Sequence, residues 1–229
     1  MLLVTRLLER FHGPQRWRSW GRPLDGLIGT VLSQHTSDVN SDAAFRGLKR
    51  AFATWKACMD APAERVERAI RSGGLARQKT RSIQAILRFI HRDRGRLSLE
   101  FLRRRPMEGA RAYLLALPGV GPKTAACVLL FNLGKPALPV DTHVHRVSWR
   151  LGLIPDDATA EDAHEILEPA CPPKQVYAFH VLVIRHGRQI CKARKPRCGE
   201  CVLTEICPST QLRTGDRPLK LKQRGQTGV

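Results

Sequence analysis

The sequence predicts an all-α fold, and three observations carry that prediction. Apolar residues recur at helical spacing almost throughout, strand-like alternation is nearly absent, and short Gly- and Pro-marked connections separate the periodic stretches. A chain of 229 residues is long enough for one large domain or two modest ones with cores of their own.

Taken in order, MLLVTRLLERFHG at the start sets apolar residues at helical spacing, interrupted by Arg6, Glu9 and Arg10, as an amphipathic helix does. Leu24, Leu27, Ile28, Val31 and Leu32 then fall at i, i+3, i+4, i+7 and i+8, one apolar face, with Pro23 suited to the first turn. Val66, Ala69 and Ile70 make a shorter face, and Ile83, Ile86, Leu87 and Ile90 another. EGARAYLLALPGVGPKTAACVLLFNLG reads as helix, tight turn, helix, with Gly119 and Gly121 in the turn and Pro122 opening the second helix. Val144, Val147 and Leu151 form the last clear face, behind Asp141 as its N-cap. Connections are expected at Gly73–Gly74, Pro118–Gly121, Gly134–Pro139 and Pro172–Pro173.

Charge narrows the function. Thirty-nine Lys and Arg against 20 Asp and Glu give a net charge of +19. Such an excess costs stability by self-repulsion, and a polyanionic partner is the usual reason to keep it. Nucleic acid leads, because each neutralised phosphate releases counterions. An anionic membrane surface is second, but the basic residues form no single polybasic tail. No run reaches the ~18 apolar residues of a membrane span, and no secretion signal is visible. A soluble, cytoplasmic protein is therefore expected. The stretch from about 213 to 229 is polar and basic and reads as a mobile tail.

Cys191, Cys198, Cys201 and Cys207 give the spacing C-x6-C-x2-C-x5-C. Four thiolates so close, in a reducing compartment, indicate a metal site rather than disulfides. Thiolate chemistry alone leaves zinc and iron–sulfur open, although a zinc ribbon would show two C-x2-C knuckles and only Cys198–Cys201 qualifies. Between the first two ligands, KARKPR brings Lys192, Arg194, Lys195 and Arg197. A metal closing this loop would hold its cations on a stiff tether facing phosphate. Cys58, Cys127 and Cys171 are isolated, and Cys127 reads as a small core residue.

LPGVGPKTA at 117–125 resembles the helix–hairpin–helix motif of the endonuclease III family of DNA glycosylases. Eighteen residues past Lys123, VDTHVHRV is similar to that family's V-D-T-H-V segment, the four-cysteine spacing to that of its [4Fe–4S] cluster, and VLSQHTSD at 31–38 to its early S/Q-x-T segment. The resemblance runs from about residue 20 to 210. Three departures stand out: Pro122 where a basic residue is common, Ser33-Gln34-His35-Thr36 in place of Ala-Gln-Ala-Thr, and Ala76 where Tyr or Phe usually follows the Leu of the wedge loop.

The resemblance implies two helical domains flanking a DNA groove: 22–132 with the hairpin at about 110–132, and 1–21 plus 133–212 carrying a [4Fe–4S] cluster. It implies that Lys123 is the amine nucleophile, since relatives without lyase activity carry another residue there, and that Asp141 is the essential carboxylate. It points to Gln34 and Leu75 as the residues filling the vacated base position. DNA contacts are further expected at Leu117, Gly119, Val120, Gly121, His143, Lys192, Arg194 and Lys195. The partner is then double-stranded DNA with damaged bases or abasic sites, met by a monomer with no membrane role.

The chemistry asks for these residue types. Attack on the sugar C1′ needs an unprotonated amine, which burial, neighbouring positive charge and a helix start all favour. The resulting Schiff base permits β-elimination of the 3′ phosphate. Positive charge builds on the sugar as the base departs, so a carboxylate must stabilise it. The base must first be flipped out, at a cost of a few kcal/mol. Asp141 as a mere cap, Lys123 as a mere phosphate grip and Leu75 as a helix cap against the core are the plainer alternatives. The functions to weigh are a bifunctional glycosylase and lyase for oxidised or fragmented pyrimidines, a glycosylase for mismatched or adenine bases, which Lys123 opposes, and a non-catalytic DNA-binding or redox-sensing iron–sulfur protein.

Overall fold

The computed structural model describes residues 1–210 and contains no strand among them. The expected tail at 213–229 lies outside the described residues. Two compact units are present: Arg16–Pro139 with Pro172–Tyr177, and Met1–Gln15 with Val140–Cys171 and the chain from Ala178 onward.

The first helix, α1 (Leu2–His12), buries Val4 and Leu8 and leaves Leu2 and Leu3 exposed, so its apolar stripe is narrower than its composition suggests. The unit beginning at Arg16 holds α2 (Pro23–Ser33), α3 (Asp38–Ala51), α4 (Trp55–Asp60), α5 (Ala63–Ala69), α6 (Ala76–Arg94), α7 (Met107–Leu115) and α8 (Pro122–Cys127). Its core is built from the faces read in the sequence: Leu24, Leu27, Ile28, Val31 and Leu32 of α2 against Ile83, Ile86, Leu87 and Ile90 of α6, with Val66 and Ile70. Ser37 and Thr54 cap α3 and α4 by accepting from Asn40 N–H and Ala57 N–H. Gln84, buried on α6, donates to the carbonyls of Cys58 and Met59 in the last turn of α4 and of Ala61 just past it, carbonyls that the helix end leaves without intrahelical donors.

Past α8 the chain widens into a π turn over Val128–Asn132. A π turn disrupts the i→i−4 ladder, and the carbonyls here find partners outside the helix. Trp17 Nε1–H donates to Leu130 O at 2.7 Å and Trp20 N–H to Phe131 O at 3.0 Å, with the Trp20 ring stacked on Phe131. Close backbone approach sets another constraint: a Cβ at Gly47 would lie 2.3 Å from the carbonyl oxygen of Ala69. Gly47→Ala should therefore lower stability by about 1–3 kcal/mol, read as a drop in the urea midpoint at unchanged slope.

The other unit carries α9 (Thr142–Arg150), α10 (Ala160–Ala170) and most of α11 (Val176–Gln189). Thr159 and Asp162 form a reciprocal capping box at the start of α10. Val144 and Val147 are buried as their spacing predicts. Cys58, Cys127 and Cys171 are buried.

Candidate active site and cysteine centre

Within the larger unit, α7 and α8 form the hairpin. Leu117 and Val120 are buried, so their side chains anchor the turn and only their backbone can meet a partner, while Gly119 and Gly121 are exposed. Gly119 has φ of 73°, which only glycine adopts cheaply. No side chain caps α8 and Pro122 stands in its first turn, so the remaining first-turn N–H groups are left to an outside acceptor. Lys123 is half-buried in that turn, and among the described residues no side-chain partner engages its amine.

Gln34 follows α2 and is half-buried; its Nε2 donates to Thr124 Oγ1 at 3.4 Å, which places it beside the residue after Lys123. Leu75 is 52% exposed with φ of 47°, and His35, next to Gln34, has φ of 51°. The reading of Leu75 as a side chain capping α6 against the core does not fit that exposure. Left-handed backbone is costly for these residues and persists only where the surroundings enforce it. Among the described residues only one other non-glycine has positive φ: Lys195, in the basic loop.

In the second unit Asp141 caps α9. Its Oδ1 accepts from His143 N–H at 2.9 Å and Val144 N–H at 2.8 Å. One carboxylate oxygen thus holds the helix start, and both of its described bonds leave Oδ2 to other work. Burial, with Arg146 assisting, holds His143 below the usual imidazole value despite Asp141 acting the other way. Its Nδ1 accepts from Arg146 Nη2 at 3.1 Å, because a guanidinium has no lone pair to offer. With Nδ1 accepting, the proton of the neutral ring sits on Nε2. His145 instead donates from Nε2 to the Ala158 carbonyl at 2.8 Å and is a packing residue.

The four sequence-predicted cysteines line one cavity together with Arg150, Ile190, Pro196 and Arg197. Among the described residues no three His, Cys, Asp or Glu side chains gather tightly enough for a single ion. Zinc would draw its sulfurs to about 2.3 Å from one centre, whereas a cubane with one iron per thiolate spaces them wider. Donors also reach the sulfurs: Arg150 Nη1 to Cys191 Sγ at 3.3 Å and Leu203 N–H to Cys201 Sγ at 3.4 Å. Burial pushes the Cys201 thiol up, and neighbouring Cys191 and Cys207 add to it, so a bound metal is what would keep these sulfurs as thiolates. The residues present therefore fit an iron–sulfur cluster. Burial, then His12, drives His186 down to about 4, so it sits neutral 3.4 Å from Cys201 Sγ.

The basic loop is held rather than loose. Arg150 donates to the carbonyls of Lys192 at 2.8 Å and Ala193 at 3.1 Å. Arg197 is spent on a two-bond pair with Glu200. Lys192, Arg194 and Lys195 are exposed. Sequence reasoning missed Arg150, since nothing in its spacing says which carbonyls a surface arginine will reach.

The hairpin and the four-cysteine loop each fall within a stretch that a family model matches. The model of the HhH-GPD superfamily of base excision DNA repair proteins matches residues 28–173, and that of the iron–sulfur binding domain of endonuclease III matches residues 191–207. Endonuclease III of Thermotoga maritima is 37% identical over 205 residues, covering 90% of either chain. Endonuclease III of Escherichia coli K12 is 33% identical over 206 residues, covering 90% of this chain and 92% of that one. A relative from Arabidopsis thaliana is 39% identical over 172 residues; these cover 75% of this chain and 59% of that longer one. A non-covalent endonuclease III–DNA complex matches with a TM-score of 0.78 at 31% identity, covering 93% of this chain and 96% of that one. A trapped covalent endonuclease III–DNA intermediate, an estranged-adenine complex, matches with a TM-score of 0.78 at 32% identity, covering 92% and 95%. The chain belongs to the HhH-GPD superfamily of base excision DNA repair proteins, in its endonuclease III family.

Proposed function

We propose that the protein is a bifunctional DNA glycosylase and abasic-site lyase that removes oxidised pyrimidines from duplex DNA. The observation that carries this reading is Lys123 in the uncapped first turn of α8, its amine unpartnered among the described residues. The covalent intermediate trapped in the related endonuclease III supports it. The unit holding the hairpin is read as the helix–hairpin–helix domain and the unit holding the cysteines as the iron–sulfur domain. We read the active species as a monomer on double-stranded DNA.

Lys123 Nζ, as the free amine, attacks C1′ of the damaged nucleotide. The C1′–N bond breaks, the base takes the bonding pair, and the proton released from Nζ goes to the departing base. The ring oxygen O4′ then leaves C1′ with a proton, giving a protonated imine between Nζ and C1′. Loss of a proton from C2′ expels the 3′ phosphate with the C3′–O pair, and water frees the lysine. The Asp141 carboxylate stabilises the positive charge that develops on the sugar and relays the proton. Its fixed orientation on the N–H groups of α9 means no reorganisation at the moment of reaction. Gln34 offers a donor and an acceptor to the orphaned partner base, and Leu75 fills the stack.

Cys191, Cys198, Cys201 and Cys207 are the residues that would hold a [4Fe–4S] cluster, whose contribution when bound is a cross-link through the loop rather than a bond-breaking step. Lys192, Arg194 and Lys195 then grip phosphates.

The test is release of base and strand nicking on a duplex carrying thymine glycol opposite adenine. Both products from cluster-loaded protein support the reading; base release without nicking would replace it with a monofunctional glycosylase. Lys195→Ala should weaken duplex binding uniformly across sequences and shallow the log–log salt slope by about 1. An unchanged slope would remove Lys195 from the phosphate contacts.

A further inference from the structure

Lys79 is buried in the first turn of α6, at 3% exposure. A buried ammonium is expensive unless paired. Among the described residues no carboxylate pairs with it; its partners are two backbone carbonyls, Leu32 O at 2.7 Å and Gly73 O at 2.8 Å. Neither carbonyl is in its own helix. Leu32 lies in the last turn of α2, where the helix dipole favours a cation, two residues before Gln34. Gly73 ends a short 3-10 turn over Arg71–Gly73, two residues before Leu75.

One ammonium therefore joins the two segments that carry the residues assigned to the vacated base position. Each segment turns through left-handed backbone just beyond its held carbonyl, at His35 and at Leu75. Such conformations survive only when neighbours over-determine them. The packing leaves little slack: a Cβ at Gly73 would come within 3.0 Å of Ala44 Cβ and 4.0 Å of Lys79 Nζ. An apolar residue at 79 would fill the same space on the Ile83–Ile90 face without joining anything.

We infer that Lys79 is a positioning residue that clamps the Gln34 and Leu75 segments in one register, so that both enter the base stack together when a base is flipped. The inference rests on the glycosylase reading above and goes beyond it, because Lys79 is buried and acts through the two segments it holds. Burial lowers the affinity of this amine for its proton, and the two carbonyl acceptors are what offset that cost.

The experiment compares full-length, cluster-loaded Lys79→Met with wild type on two duplexes, one carrying thymine glycol opposite adenine and one a preformed abasic site. The abasic site has no base to extrude. Base release should fall roughly 10²-fold while abasic-site nicking stays within roughly threefold. The fluorescence rise of 2-aminopurine placed beside the lesion, which reports unstacking, should fall with base release. In a Leu75→Ala background Lys79→Met should add little, because it acts through Leu75. Equal loss on both duplexes, or full additivity with Leu75→Ala, overturns the clamp and leaves Lys79 a structural residue. Should Lys79→Met fail to fold, Gly73→Ala displaces the same carbonyl and carries the same expectation at smaller amplitude. A wild type inactive on the thymine glycol duplex would overturn the glycosylase reading instead.

Discussion

Lys123→Ala is expected to abolish borohydride trapping on an abasic-site duplex, a loss of at least about 10³-fold, because a covalent nucleophile has no substitute in its own position. Duplex affinity should change little. The hairpin is anchored by Leu117 and Val120, which are buried, and its turn by the left-handed Gly119; none of these depends on the Lys123 side chain. Separation of the two readouts is the point. If affinity collapsed while residual trapping persisted, Lys123 would be a phosphate grip and another amine the nucleophile. Trapping lost at intact affinity assigns the Schiff base to this residue and excludes a purely DNA-binding iron–sulfur protein.

The second large effect is expected at Asp141, where capping and catalysis can be parted. Asn retains an oxygen able to accept from the N–H groups of His143 and Val144, so Asp141→Asn keeps the cap of α9 while removing the charge. Base release should drop by about 10²-fold or more with the thermal midpoint nearly unchanged, since the lost contribution is electrostatic and specific to the transition state. Asp141→Ala removes both and should cost about 1 kcal/mol of stability in addition. If Asn restored full activity, the carboxylate would be a cap and nothing more.

Much of this molecule can be read before it folds, and the reasons are local. Pro23 followed by Leu24, Leu27, Ile28, Val31 and Leu32 specifies α2 because a first-turn proline and the periodicity agree. The hairpin is equally legible, since Gly119 must supply a backbone that side chains disfavour. The π turn at Val128–Asn132 is not legible. The chain from Thr124 to Leu133 is buried on every side, so no polar stripe marks the phase of the helix or its change. Left-handed His35, Leu75 and Lys195 are hidden for a related reason: their conformations are imposed by neighbours from elsewhere, not by a Gly or Asn in place. Lys79 left a clue. It stands four residues before Ile83 on the apolar stripe of α6, and a lysine in such a stripe asks where its charge goes, though only the fold answers with Leu32 and Gly73.

The braces on the π turn have an optical consequence. The chain has four tryptophans. Two of them, Trp17 and Trp20, meet consecutive carbonyls of that turn, one by its indole N–H and the other by its backbone, with its ring stacked at 3.9 Å on Phe131. Trp55 and Trp149 are instead hydrogen-bonded to the carboxylates of Asp25 and Asp156. Half of the indoles therefore report on the far end of the helix that Lys123 opens. Light absorbed by the protein itself reports whether that helix is seated, with no label attached to the DNA or the chain.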